Sequence, residues 1–236
     1  MIDIRRVDDI EYQLLPGTDR KTTDIVIERN GIITVRPPRT CRPERIDAVV
    51  RSKRMWIYRN LAEWRDLNAY AVIRRWVNGE TFLYLGRTYR LLLTSDQESA
   101  LKLKEGRFCL NRNLVEQGGT EAATMAFEEF YCEMGISRMQ ARVNYYAPKV
   151  GVKPTSVNLK DLGYRWGSCS AKGALAFHWK CMMAPLQIID YIVVHELCHM
   201  HQRNHTEAFW NEVDKIMPDY RERKGWLKKY GAALNL

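Results

Sequence analysis

The 236-residue sequence predicts an α+β fold, and three observations carry that prediction. Short apolar runs in the first half are parted by turn residues, at Asn30-Gly31, Gly86-Arg87 and Glu105-Gly106, which is the pattern of β-hairpins. Between the first two of these turns, apolar residues recur at helical spacing behind Pro43. In the second half, helical stripes alternate with two short strand-like runs, and one of those helices holds a dense cluster of histidines.

In chain order, Ile10–Leu15 and Asp24–Glu28 read as strands around the turn-rich Pro16–Asp19. Asn30-Gly31 then joins Ile25–Ile27 to Ile32–Val35, because Asn-Gly supplies the positive φ values of a type I′ turn, and Pro37-Pro38 stops the strand. The helical stretch shows Ile46, Val50, Ile57, Leu61 and Trp64 on one face and extends to about Val77, with a break near Asn68 as the alternative. Phe82–Leu85 with Tyr89–Leu93, and Leu101–Lys104 with Phe108–Leu110, form two more hairpins. Glu116–Thr120 is the expected boundary, dividing a β-rich domain with a long helix, 1–118, from a second domain, 119–236. Thr120 caps a helix ending at Gly135, with Ala122, Met125, Ala126, Phe130 and Met134 on one face; a second helix covers about Arg138–Ala147. Val157–Leu162 and Ala174–Cys181 are strand candidates around a turn-like Arg165–Ser170. Pro185 opens the histidine-bearing helix, Thr206 caps one with Phe209, Val213 and Ile216 inward, Pro218 ends it, and a short helix around Trp226 and Leu227 follows.

Composition bounds the function. Hydrophobic residues make up 46% and charged residues 28%, ordinary for a soluble globular chain, and the absence of any run of about 18 apolar residues argues against a membrane partner. The first nine residues carry acids and lack an apolar core, so a secretory leader is not expected. Six cysteines without a C-x-x-C pair read as free thiols of a reducing cytoplasm, with Cys198 as helix core rather than nucleophile. The net charge is +9, and Arg36–Arg54 holds seven basic residues against Glu44 and Asp47. Such a surface attracts nucleic acid or acidic protein segments, unless it is simply a solvated helix face.

The chemistry is concentrated in Tyr191–Trp210, which holds four of the five histidines. His195 and His199 lie one helical turn apart and on one face, with Glu196 between them in an H-E-x-x-H pattern, the spacing in which two imidazoles bind zinc and a glutamate acts on activated water. A catalytic zinc usually takes three protein ligands and keeps one position for water. His205, behind the polar Gln202-Arg203-Asn204, is favoured as the third, with Glu207 and Glu212 as alternatives. His201 points about 200° around the helix from His199 and is excluded. Glu196 is suited to the role of general base. Tyr191, Tyr220 and Arg221 are unranked candidates for stabilising the transition state.

These residues resemble the YgjP-like family of zinc-dependent metallohydrolases, relatives of the SprT-like and WLM zincin peptidases. The resemblance runs through Gly79-Glu80, Tyr84–Arg90, Arg165–Ser170, Gly173, Pro185, Asp190–His199, Asn204-His205, Phe209-Trp210 and Pro218–Tyr220. It implies a zincin-like domain of backing helices, a small antiparallel sheet and an active-site helix. It also implies one zinc per chain on His195, His199 and His205, with Glu196 catalytic, acting as a metallopeptidase on protein or peptide. In zincins an edge strand receives extended substrate, and Ala174–Cys181 is the expected strand. Arg165, Ser168 and His178 are the candidate substrate-binding residues. The alternatives are that Trp166–Cys169 is only a packed turn and that His178, where asparagine is more often expected, is an ordinary strand histidine. Relatives of the WLM and SprT type act on DNA-attached proteins, so a nucleic-acid-associated role for the basic first half is the competing expectation, and a non-catalytic zinc scaffold is a third. The metzincin pattern needs glycine three residues after the second histidine; Gln202 stands there instead.

Overall fold

The structure is a computed structural model that describes residues 3–19, 21–28, 31–68, 74–95, 97–163 and 165–236, without the side chains of 63–68. Asn30, the Trp64 side chain and residues 69–73 lie outside the described residues; over 74–77 the expected helix continuation is absent. The chain divides into two compact units, Met1–Ala71 and Val72–Leu236.

In the first unit, β1 (Asp3–Val7), β2 (Ile10–Leu14), β3 (Asp24–Ile27) and β4 (Ile33–Arg36) form a sheet in the order β1-β2-β4-β3. The β3–β4 hairpin forms where expected: Ile27 faces Ile33 and Gly31 sits at φ +85°. α1 (Pro43–Ser52) opens on proline, where a missing N–H costs nothing, and α2 spans Arg54–Asn68. Ile46 and Val50, one turn apart, pack with Ile10, Tyr12, Ile33, Val35 and Ile57 into one core.

The second unit begins with β5 (Thr81–Tyr84), β6 (Arg87–Thr94), β7 (Leu101–Lys104) and β8 (Arg107–Asn111), ordered β5-β6-β8-β7. Both of its expected hairpins are present. Helix α3 (Arg112–Val150) follows without a linker. Its Gly118-Gly119 pair is a kink, with Gly119 at φ 61°, ψ −150°, rather than the expected domain boundary. The reason is packing: Phe82 stacks on Phe127 of α3 at 4.5 Å, Phe108 lies 5.0 Å from the same ring, and the Tyr131 hydroxyl donates to the Leu83 carbonyl at 2.6 Å. A division at 118/119 would cut through that core, and the compact units part at 71/72 instead. Gly135, expected to end a helix, lies buried inside α3. A Cβ there would sit 2.7 Å from Leu159 and Met182 side-chain atoms, so glycine permits α3 to close on the layer beneath.

That layer is a sheet of β9 (Ser156–Lys160), β10 (Gly167–Cys169) and β11 (Ala174–His178), ordered β10-β11-β9. It is mixed rather than wholly antiparallel, since β11 runs parallel to β9 and antiparallel to β10. β11, the expected edge strand, is central; the edges are β9 and β10, the latter within the stretch expected to be a turn. Pro185 precedes α4 (Leu186–Cys198), followed by α5 (Glu207–Ile216) and α6 (Tyr220–Tyr230).

α4 is held at both ends and in the middle. Leu85 and Gly86 donate their N–H groups to the carbonyls of Met182 and Met183 just before it, at 2.7 and 3.1 Å. Arg142 of α3 donates through Nε and Nη2 to Asp190 at 2.6 and 2.9 Å, and Tyr146 donates to the same carboxylate at 3.2 Å. Past its C-terminus, His201 Nε2 lies 2.9 Å from the Val150 carbonyl at the end of α3. No described helix is long and apolar enough to cross a membrane.

Candidate metal centre

His195 lies in the last turn of α4 and His199 at its C-cap, so the helix period brings their rings to 4.8 Å between centroids. The chain then turns through Met200–Asn204 and returns His205, whose Nε2 lies 2.9 Å from His195 Nε2. One ligand atom from each of the three histidines falls within 4.8 Å of the others. This is the one metal-capable cluster among the described residues. Glu207 and Glu212 do not join it, and Glu212 pairs with Lys215 at 2.7 Å. His201, past the end of α4, turns away to α3.

The donor set fits a divalent zinc-like ion. A tetrahedral zinc about 2.0–2.1 Å from each imidazole nitrogen needs nitrogen separations of roughly 3.3 Å; the His195 and His205 Nε2 atoms lie 2.9 Å apart, and the three ligand atoms span no more than 4.8 Å. The His199 Nδ1 lies 3.0 Å from the Gln202 carbonyl, which can accept only if Nδ1 carries the proton, leaving Nε2 with its lone pair for a metal. Burial, with the neighbouring histidines and Lys224 adding to it, lowers the His195 pKa to about 3. Burial also lowers those of His199 and His205. A lowered pKa favours the neutral imidazole, the form that binds metal. Phe209 stacks on His199 at 4.5 Å and Trp210 on His205 at 5.7 Å, forming the aromatic wall that the sequence places on α5.

Glu196 is 5% exposed and points to β10. Gly167 makes room for it: a Cβ there would lie 2.6 Å from Glu196 Cγ and 2.7 Å from Oε1. Burial pushes the Glu196 carboxyl up to about 8, against the opposing pull of Arg165. A dication beside such a carboxyl favours its charged form. Burial also lifts the Cys198 thiol to about 12, so it is core and not a nucleophile.

A cavity of about 440 Å³ opens over these residues. Arg165 and Ser168 line it, as the sequence suggested; so do Trp166, Gly167, Cys169, Tyr191, Arg203 and Leu227. His178 does not. It is 4% exposed, its Nδ1 accepts from the Lys180 N–H at 3.2 Å, and its Nε2 lies 3.4 Å from Asp161. The expectation for His178 fails because β11 is a central strand, buried on both faces, and its side chains have no cleft to reach. Gly167, Arg203 and Leu227 went unread in the sequence. Arg203 was legible only as a cation between two candidate ligand histidines, and Gly167 only as a small residue beside a tryptophan.

β10 leaves main-chain groups on its free edge outside the ladder. His178 N–H donates to the Trp166 carbonyl and Ser170 N–H to the Ala174 carbonyl, each at 2.9 Å. In an antiparallel ladder residues alternate, so Trp166, Ser168 and Ser170 face β11, while Gly167 and Cys169 direct their N–H and C=O outward.

A family model described as YgjP-like, metallopeptidase domain, matches residues 21–230. Among solved structures, the crystal structure of the metallopeptidase zymogen of Pyrococcus abyssi abylysin is similar at 22% identity, covering 37% of this chain and 89% of that one, with a TM-score of 0.35. No curated protein matches the chain.

Proposed function

The chain belongs to the YgjP-like metallopeptidase family, and from that membership we infer a zinc-dependent peptidase with His195, His199 and His205 as metal ligands and Glu196 as general base. Family membership implies a divalent metal and a protein or peptide substrate. The observation that carries the residue assignment is the convergence of three imidazoles within 4.8 Å of one another, with the buried Glu196 carboxyl next in the chain to the first of them.

A bound zinc ion supplies Lewis-acid polarisation of the scissile carbonyl and an acidified water. The rest falls to the chain. Glu196 accepts the proton of the attacking water and returns it to the leaving amine. Its desolvated setting holds that proton more strongly than an exposed carboxylate would, which suits a group that must both take and give it. Gly167 and Cys169 offer an extended peptide the outward main-chain groups of β10, so substrate adds to this edge as a further strand. Endopeptidase action is the reading favoured by an open strand edge, since such a site needs no chain terminus. Arg165 and Ser168 line the same cavity and orient the peptide. In this reading α3 is the backing helix and α4 the active-site helix of a zincin-like domain.

A second reading, nucleic-acid association through the first unit, draws on exposed Arg36, Arg42, Arg45 and Lys53, which have no carboxylate partner among the described residues. Arg39, Arg51 and Arg54 of the same run are already paired with Asp19, Asp8 and Asp9. That leaves a weaker field than the sequence count suggests, and peptide hydrolysis remains the primary reading.

Metal removal tests the proposal. Chelation should abolish hydrolysis of an unstructured protein substrate, and one equivalent of zinc per chain should restore it. Hydrolysis that survives complete removal of metal would refute it.

A further inference from the structure

We propose that Arg203 is a positioning residue that locks the loop bearing His205 to the β10–β11 turn, so that the third ligand and the substrate strand form one rigid body. The inference rests on the metal-site reading above.

Arg203 stands between the second and third histidines, in the non-helical segment that returns the chain to His195. Its guanidinium spans three consecutive carbonyls of the facing turn. Nη1 donates to Ser170 at 2.8 Å and reaches Cys169 at 3.5 Å, and Nη2 donates to Ala171 at 3.1 Å. Met200, from the same loop, grips the other end of that turn: its Cε would lie 3.0 Å from a Cβ placed on Gly173. The turn is itself fixed, since Ser170 Oγ accepts from the Ala174 N–H at 3.0 Å and the Ser170 carbonyl accepts from the Gly173 N–H at 3.1 Å.

The two flanking ligands differ in how they are held. His199 has a helix C-cap position and the Gln202 carbonyl to orient it. His205 is exposed, and the rings of Phe209 and Trp210 lie against it. A ligand on a loop must be ordered before it binds, and a metal then bears that ordering cost unless the loop is already fixed. The Arg203 fork does the fixing. Its planar guanidinium reaches several carbonyls at once, which a lysine ammonium at one point does not. It also sits at the Cys169 carbonyl, the outward end of the strand edge, which ties the placement of His205 to the placement of substrate.

The test uses the full chain as wild type, Arg203→Lys and Arg203→Gln. Arg203 is exposed, so neither change threatens the core. Zinc affinity is measured by competition with a chromogenic chelator, the ligand set by the visible absorption of the cobalt(II)-loaded protein, and folding by thermal unfolding of the metal-free chain. The expected result is a zinc affinity lowered about 10–100-fold in both variants, the range found when a group orienting a ligand is lost, with an altered cobalt spectrum and little change in metal-free unfolding. Two results overturn the inference: variants that match wild type in zinc affinity and cobalt spectrum, or Arg203→Lys alone matching wild type. A wild-type chain that binds no zinc would instead overturn the metal-site reading beneath it.

Discussion

Gly167 and Glu196 share one volume, and that makes a small residue part of the proposed catalytic geometry. Gly167 is not at positive φ, so its backbone would accept alanine; the obstacle is the glutamate side chain 2.6–2.8 Å from the added Cβ. Gly167→Ala should therefore displace Glu196 without disturbing the histidines. The expected outcome is a fall in kcat of about 10²-fold, the cost of misplacing a reacting group by roughly 1 Å, with one zinc per chain retained. Steady-state kinetics and metal analysis on the same sample check this, and unchanged kcat would show that Glu196 works from another position. At this scale the sequence was informative where a period links residues. His195, Glu196 and His199 follow from the helix repeat, and the exclusion of His201 follows from the same angle. His205 was one of three options because a loop obeys no period, and only the folded chain brings its Nε2 to 2.9 Å from His195. Gly167 and Arg203 act through contacts with residues some 29 to 34 positions away, which no local pattern encodes.

Helix α4 is buried on nearly every side, through Ile188, Ile189, Ile192, Val193, Val194 and Leu197, and this explains why its one acidic residue before His195 is so fully paired. Asp190 accepts two hydrogen bonds from Arg142 and one from Tyr146, tying the histidine-bearing helix to α3. Arg142→Ala would leave a nearly buried carboxylate uncompensated. Breaking such a pair from one side typically costs about 3–5 kcal/mol, and denaturant unfolding of the variant should lose that much; a loss under about 1 kcal/mol would mean that solvent already screens the pair. Elements with strong local chemistry were legible: the hairpins at Gly31, Gly86 and Gly106, and the proline-led starts of α1 and α4. Two were not. β10 is three residues long and reads Gly-Ser-Cys, which carries no alternation, and its strand character comes wholly from pairing with β11. α3 continues through Gly135 because packing against Leu159 and Met182 outweighs the poor helix propensity of glycine.

At the scale of the molecule, the α+β class was readable because hairpin and helix patterns differ in period, but the division of the chain was not. Gly118-Gly119 has the composition of a linker, and only the shared core of Phe82, Phe108, Phe127 and Tyr131 reveals that the β5–β8 sheet belongs with the histidine-bearing half. The unit of 72–236 thus holds two sheets, α3 and every residue of the proposed site. The central claim is that this unit hydrolyses peptide bonds with a histidine-held metal and a glutamate that moves the proton. The most direct measurement is zinc content and peptide hydrolysis determined together on wild type and Glu196→Gln. The account predicts one zinc per chain in both and hydrolysis slowed about 10²–10⁴-fold in the variant. A zinc-loaded Glu196→Gln protein that cleaves at the wild-type rate would contradict it.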